Sequence, residues 1–113
     1  MEELWPIKLQ PKDKEEEYIL DEARAFLKET IFLSYWAPNP HVDNVVKLGK
    51  KNTKFLIEFA KENNHKQGMY SHFILDVLYT LYKDDIKVEG YLGVSGCMNM
   101  IIKMYEKGLL KDD

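Results

Sequence analysis

The sequence predicts an all-α fold: a compact bundle of about five helices, with one short extended segment before the last. Three observations predict it. Apolar residues recur at three- and four-residue spacing in five separate stretches. Pro38, Gly49, Gly68 and Gly108 fall between or after those stretches. Only residues 86–93, "IKVEGYLG", alternate weakly as an extended chain does. A lone segment of that kind has no strand to pair with, so no sheet is expected. The length of 113 residues suits one domain, read here as an N-terminal arm over 1–13 and a single helical domain over 14–113.

In the arm, Pro6 and Pro11 discourage helix. Leu4, Trp5, Ile7 and Leu9 are too apolar for a purely solvated tail, so the arm is expected to dock on the body through Trp5. The first helix is expected from Lys14 to Tyr35. Asp13 is its N-cap, and Glu15, Glu16 and Glu17 face the positive end of the helix dipole. Leu20, Ala23, Leu27 and Ile31 form its inner stripe, widened by Ile19, Phe26 and Leu33. Pro38 ends it.

Asn39 caps a second helix that starts at Pro40, where a missing N–H costs nothing. Val42, Val45, Val46 and Leu48 make its inner face, and Gly49 is its left-handed terminator. The third helix spans 52–62 with Phe55, Leu56, Phe59 and Ala60 inward. The fourth, "MYSHFILDVLYTLY", is apolar nearly all round and belongs in the centre of the domain. The fifth, 96–107, presents Met98, Ile101, Ile102 and Tyr105. Gly108 follows as its C′ residue, with Leu109 folding back on Met104.

Composition removes several classes of function. The net charge is −3, and Arg24 is the only arginine. Readers of phosphates and base edges rely on arginine's flat, forked donors, so no nucleic-acid partner is expected. Lys47, Lys50, Lys51 and Lys54 cluster locally and read as a solvated face. No apolar run approaches the ~20 residues of a membrane span, and no signal peptide is recognisable. The expected setting is cytoplasmic, without a membrane partner. Cys97 is the single cysteine, so there is no internal disulfide.

The stretch "GYLGVSGC", residues 90–97, invites a catalytic reading and does not sustain one. Its glycines stand at three-residue spacing without the lysine and hydroxyl of a P-loop, and without the dinucleotide fingerprint. "GVSGC" half-matches a hydrolase nucleophile elbow, yet no histidine follows Ser95 to complete that order of residues. Ser95 reads as an N-cap of the fifth helix. Cys97 near that helix start has a lowered-pKa option, but a buried structural thiol is the commoner fate of a lone cysteine among methionines. No metal or cofactor is expected, because His41, His65 and His72 are widely spaced and no HExxH or CxxC occurs. His72 and Asp76 share a helix face one turn apart, as a hydrogen-bonded pair at a wet edge or as a site. His41 and Asp43 are expected to act locally near the second helix start. Tyr35, Trp36, Tyr70, Phe73, Tyr79, Tyr82, Tyr91 and Tyr105 supply aromatics for a core and for one exposed patch.

The run "VVKLGKKNTKFLIEFAKEN" resembles a HEAT-type helical hairpin, in which one helix ends at Leu-Gly and the next begins within a few residues. Over residues 42–110 the chain is similar to short bacterial all-helical proteins of uncharacterised function. The resemblance implies a helical fold and carries over no catalytic residue. No second copy recurs at a period of ~40 residues, so no solenoid is expected.

These readings converge on a non-enzymatic protein–protein interaction module, of the regulator or toxin-neutralising immunity or antitoxin type, with a protein partner or self-association. The binding candidates are Trp36, His41, His72, Asp76 and Tyr79. The alternative is a small enzyme or ligand-binding domain built on a His72, Asp76 and Cys97 pocket.

Overall fold

The computed structural model describes residues 7–32, 40–63, 70–86 and 93–111. Asp13 starts the first helix as its sequence position predicts. Its carboxylate accepts the Glu16 N–H at 2.9 Å, and the Glu16 carboxylate accepts the Lys12 N–H at 2.8 Å. The first bond satisfies a backbone donor that a helix start leaves open, and the second ties the residue before the cap to the same turn. The result is α1, Lys14–Phe32, followed by α2, Pro40–Val46; α3, Thr53–Asn63; α4, Tyr70–Leu81; and α5, Gly93–Glu106. No strand occurs among the described residues.

The core runs through all five helices. Ile19, Leu20, Ala23, Phe26 and Leu27 of α1 are buried, as are Val45 of α2 and Phe55, Leu56, Ile57, Phe59 and Ala60 of α3. Phe73, Ile74, Val77 and Leu78 of α4 have no exposed surface at all. α4 packs against each of the other four helices, which is why its sequence is apolar on most sides. Phe26 meets Phe73 with ring centroids 5.3 Å apart and planes tilted by 60°, close to edge-to-face, and Phe59 meets Tyr70 at 5.6 Å. In the arm, Ile7 and Leu9 lean on this core, and the Lys8 N–H reaches the Glu62 carboxylate at 2.7 Å. The expected docking of Trp5 lies outside the described residues.

Between α2 and α3 the chain turns at Gly49, whose φ of +80° only glycine adopts without strain. The Leu-Gly junction of the expected hairpin is therefore present. α2, however, packs on α1 and α4, while α3 packs on α4 and α5. Pro40 is the first residue of α2, as expected. Asn39, its expected cap, and residues 87–92 of the expected extended segment lie outside the described residues.

One expectation is corrected. α5 begins at Gly93, three residues earlier than the sequence reading placed it, so Ser95 lies inside the first turn and is not the N-cap. Two glycines within the first turn looked like a loop on propensity. The packing of Met98, Ile101 and Ile102 against the core outweighs that roughly 1 kcal/mol per glycine.

Gly108 follows α5 as its C′ residue, as expected. The Leu109 N–H donates to the Met104 carbonyl at 2.9 Å, and the Gly108 N–H to the Tyr105 carbonyl at 2.9 Å. This pair, with Gly108 at φ +77°, is a Schellman ending. Beyond it Leu110 is buried. The Lys111 carbonyl accepts the Tyr82 hydroxyl at 2.9 Å, and Tyr82 also meets the buried Thr53 hydroxyl at 2.6 Å. Thr53 in turn donates to the Lys50 carbonyl at 2.6 Å. The two hydroxyls carry one proton each for three contacts, so either Thr53 donates to Tyr82 while Tyr82 donates to Lys111, or Tyr82 donates to Thr53 while Thr53 donates to Lys50. The Lys50 ammonium sits 4.9 Å above the Tyr82 ring. One tyrosine thus ties the start of α3 and the end of α4 to the C-terminal segment.

Two stability outcomes follow. Tyr82→Phe removes the hydroxyl and strips the Lys111 carbonyl of that donor; the expected loss is about 1–3 kcal/mol by chemical denaturation. An unchanged midpoint would show that the hydroxyl contributes nothing. Gly108→Ala meets no atom within 4 Å of the new Cβ. Its cost is thus conformational only, about 1 kcal/mol, read as a fall in melting temperature of several degrees.

Candidate functional site

Three places on the surface gather residues with chemical capability. The first is the junction of α1 and α2. Glu22 and Glu29 stand seven residues apart on α1, two turns along one face. His41, at the start of α2, fits between them: Nδ1 lies 2.7 Å from Glu22 Oε2, and Nε2 lies 2.9 Å from Glu29 Oε1. Asn44 Nδ2 donates to the same Glu22 oxygen at 3.2 Å. His41 and Glu22 are largely enclosed, each side chain 15% exposed, while Glu29 is open to water. Burial works against a charged imidazole and is the largest single influence. The carboxylates of Glu29 and Glu22 together outweigh it and raise the His41 pKa above its ordinary 6.5. The expectation that His41 acts locally at the helix start is corrected, because its partners are on another helix. Nδ1 is in hydrogen-bond contact with Glu22 and Nε2 stands at ion-pair distance from Glu29, so the group works as a clamp between α1 and α2.

The second place is the solvent-facing strip of α4. Asp76, Tyr79, Thr80 and the following Lys83 are exposed, and His72 is half-exposed. His72 and Asp76 do lie close enough to interact. Desolvation by the surrounding protein raises the Asp76 pKa, and the electrostatic effect of His72 pulls it back. Thr80 turns its hydroxyl to the Asp76 carbonyl at 2.7 Å, within the helix. Tyr79 is 39% exposed. Trp36, Tyr35 and Tyr91 lie outside the described residues. Tyr70, Phe73 and Tyr82 are core. Among the described members of the expected aromatic set, Tyr79 alone is exposed, and no aromatic patch forms there.

The third place is the outer face of α5. Gly96, Asn99, Met100, Lys103, Met104, Lys107 and Leu109 line an open groove of about 360 Å³. Met100 and Met104 are partly buried and rest on the core from outside. Leu109 is 60% exposed, the most exposed large apolar side chain described. Lys103 and Lys107 stand in the open on the rim. The apolar pattern of α5 is dominated by its core side, Met98, Ile101, Ile102 and Tyr105, which masks this face in the sequence. The signal was present as two parallel i, i+4 pairs, Met100 with Met104 and Lys103 with Lys107.

The structure therefore distributes the candidate residues. His41 belongs to the α1–α2 clamp; His72, Asp76 and Tyr79 share the α4 strip; and half-buried Cys97 sits on α5. The α5 groove contains none of these. Among the described residues no group of three His, Cys, Asp or Glu side chains is arranged to hold a metal ion. No described helix is long and apolar enough to cross a membrane. Of the clustered lysines, Lys51 pairs with Glu15 at 2.8 Å and Lys50 covers the Tyr82 ring, while Lys47 and Lys54 are solvated.

The clamp makes a pH prediction. Because the folded-state pKa of His41 is raised, the native state binds more protons than the unfolded chain between the two values. The stabilisation is fully present below the unfolded value near 6.5 and is lost as pH rises through the folded value. Denaturation midpoints of the wild type should fall as pH rises above about 6.5 more steeply than those of His41→Gln. Equal slopes would remove His41 from the account. In NMR titration, Glu29→Gln should lower the His41 pKa.

Comparison of the chain with protein-family models, with curated proteins and with solved structures finds no match in any of the three.

Proposed function

We propose that this protein is a non-enzymatic interaction module that presents the outer face of α5 to a protein partner. The observation that carries this reading is the groove of Gly96, Met100, Met104 and Leu109, an apolar face left open after every helix has contributed to the core. Methionine suits such a face, because its unbranched, polarisable side chain repacks around different contours. The groove is held in shape from behind. Lys61 of α3 pairs with Glu106 of α5 at 3.0 Å, and the Schellman turn holds the backbone of Leu109. A surface ordered before binding gives up less entropy on association.

The enzymatic alternative draws less support. His72 and Asp76 lie along an open helix strip, and the α5 groove contains neither of them nor Cys97. A cytoplasmic bacterial regulator, or a toxin-neutralising immunity or antitoxin protein, is the kind of module that fits this size and acidic balance. That subclass rests on analogy alone.

The test is site-specific crosslinking. A photoreactive residue at position 104 should trap one protein species in the native host, while the same group at position 83 on α4 should not. A second copy of this chain as the trapped species would make the module a homodimer. No adduct at 104 above background, or the same adducts at 83, would overturn the proposal.

A further inference from the structure

We propose that the occupant of the α5 groove is an amphipathic helix of a partner protein that carries an acidic row beside its apolar one. This rests on the interaction reading above and adds the chemistry of the partner.

Two rows run side by side along α5. Gly96, Met100 and Met104 form the apolar row, extended by Leu109. Asn99, Lys103 and Lys107 form the polar row. Within each row successive residues are four apart, about 6 Å along the axis. A second helix repeats its side chains at that same interval in two adjacent rows, whereas one face of a strand offers a single row. Gly96 has no side chain, so a crossing backbone can come near α5 at that end.

Charge selects the sign of the partner. Arg24, Lys51 and Lys61 each have a carboxylate at 3.2 Å or less. Lys103 and Lys107 make no ion pair among the described residues, and they form a local positive rim on a chain of net charge −3. Lysines near a helix C-terminus also complement the helix dipole, which accounts for their presence without any partner. It does not account for the open methionine row beside them or for Leu109. The exposure of Leu109 is imposed by its backbone. Its N–H is bonded to Met104, Leu110 behind it is buried, and Lys111 is held by Tyr82.

A second copy of the chain is a poorer match. At the start of α1, Glu15 is engaged by Lys51 and Asn52, Glu16 caps the helix, and Asp21 pairs with Arg24. The apolar stripe of that helix is already in the core.

The experiment uses two helix-stapled peptides that share one leucine row. One carries glutamates at i and i+4 beside that row, and the other carries lysines there. Each is titrated by fluorescence anisotropy against the full chain and against the Lys103→Glu/Lys107→Glu double variant. Both replaced lysines are exposed, and circular dichroism verifies that the variant is folded. The glutamate peptide should bind the wild type, weaken with salt, and lose about tenfold in affinity on the double variant, as expected for two exposed ion pairs turned repulsive. The lysine peptide should show the opposite preference. Met104→Asp should abolish both.

Equal binding of the two peptides, or no binding of the glutamate peptide to the wild type, overturns the acidic-helix inference. If crosslinking at 104 still traps a partner, the interaction reading survives that failure; if it does not, both fall. Binding that emerges only in Asp112→Asn/Asp113→Asn makes the chain's own acidic end the occupant and overturns the inference. So does a dimer in sedimentation that Met104→Asp dissolves.

Discussion

Everything in this domain depends on the burial of α4. Phe73, Ile74, Val77 and Leu78 are wholly removed from water, and each such side chain stabilises the fold by roughly 1.5–3 kcal/mol relative to exposure. Those four residues together are worth about as much as the entire net stability of a typical domain, ~5–15 kcal/mol. A helix buried in this way must be surrounded, and α1, α2, α3 and α5 surround it. Their positions follow from the need to cover α4. This also explains why α2 and α3, adjacent in sequence and joined by a tight turn at Gly49, lie on different neighbours.

Polar contacts then choose one arrangement among the packings that would cover α4. Hydrophobic contact alone is not directional. The Thr53–Tyr82–Lys111 network and the Glu15 contacts to Lys51 and Asn52 are directional. The first fixes where the C-terminal segment crosses the end of α4. The second aligns the beginnings of α1 and α3. Lys51 and Asn52 hydrogen-bond the Glu15 carboxylate and lower its pKa, so the contact prefers the charged form. The clamp of His41 between Glu22 and Glu29 orients α2 on α1 in the same manner. Each of these ties joins elements that α4 already brings near, so their role is to specify geometry more than to supply cohesion.

The same tying of the C-terminal segment produces the candidate interface. Tyr82 and Leu110 hold the chain past Gly108 against the body, and Leu109, between two fixed points, is left facing water. Scattered exposed leucines are ordinary in soluble proteins. This one stands beside two methionines and a glycine on a helix face with a basic rim, and that combination is what the proposed docking surface rests on. The described histidines, by contrast, are accounted for by structure: His41 in its clamp, and His72 beside Asp76 on the α4 strip.

Much of the architecture was legible in the amino-acid order. Asp13 before the first helix, Pro40 at a first helical position, and Gly108 before Leu109 each specify a helix end through local chemistry, and each does so in the structure. The apolar stripes of α1, α3 and α4 identified their buried faces, since a 3.6-residue period leaves few alternatives. The start of α5 was not legible, because its glycines and Ser95 describe a loop by propensity and only packing makes them helical. Nor were the partners of His41, which lie 19 residues away at Glu22 and 12 at Glu29. Sequence by itself determined the helices, most of their ends and the centrality of α4, because those depend on periodicity and on neighbours within a few residues. Tertiary structure alone decided which helices meet, what His41 binds and which face of α5 stays open, because those are set by how five apolar stripes share the surface of one buried helix.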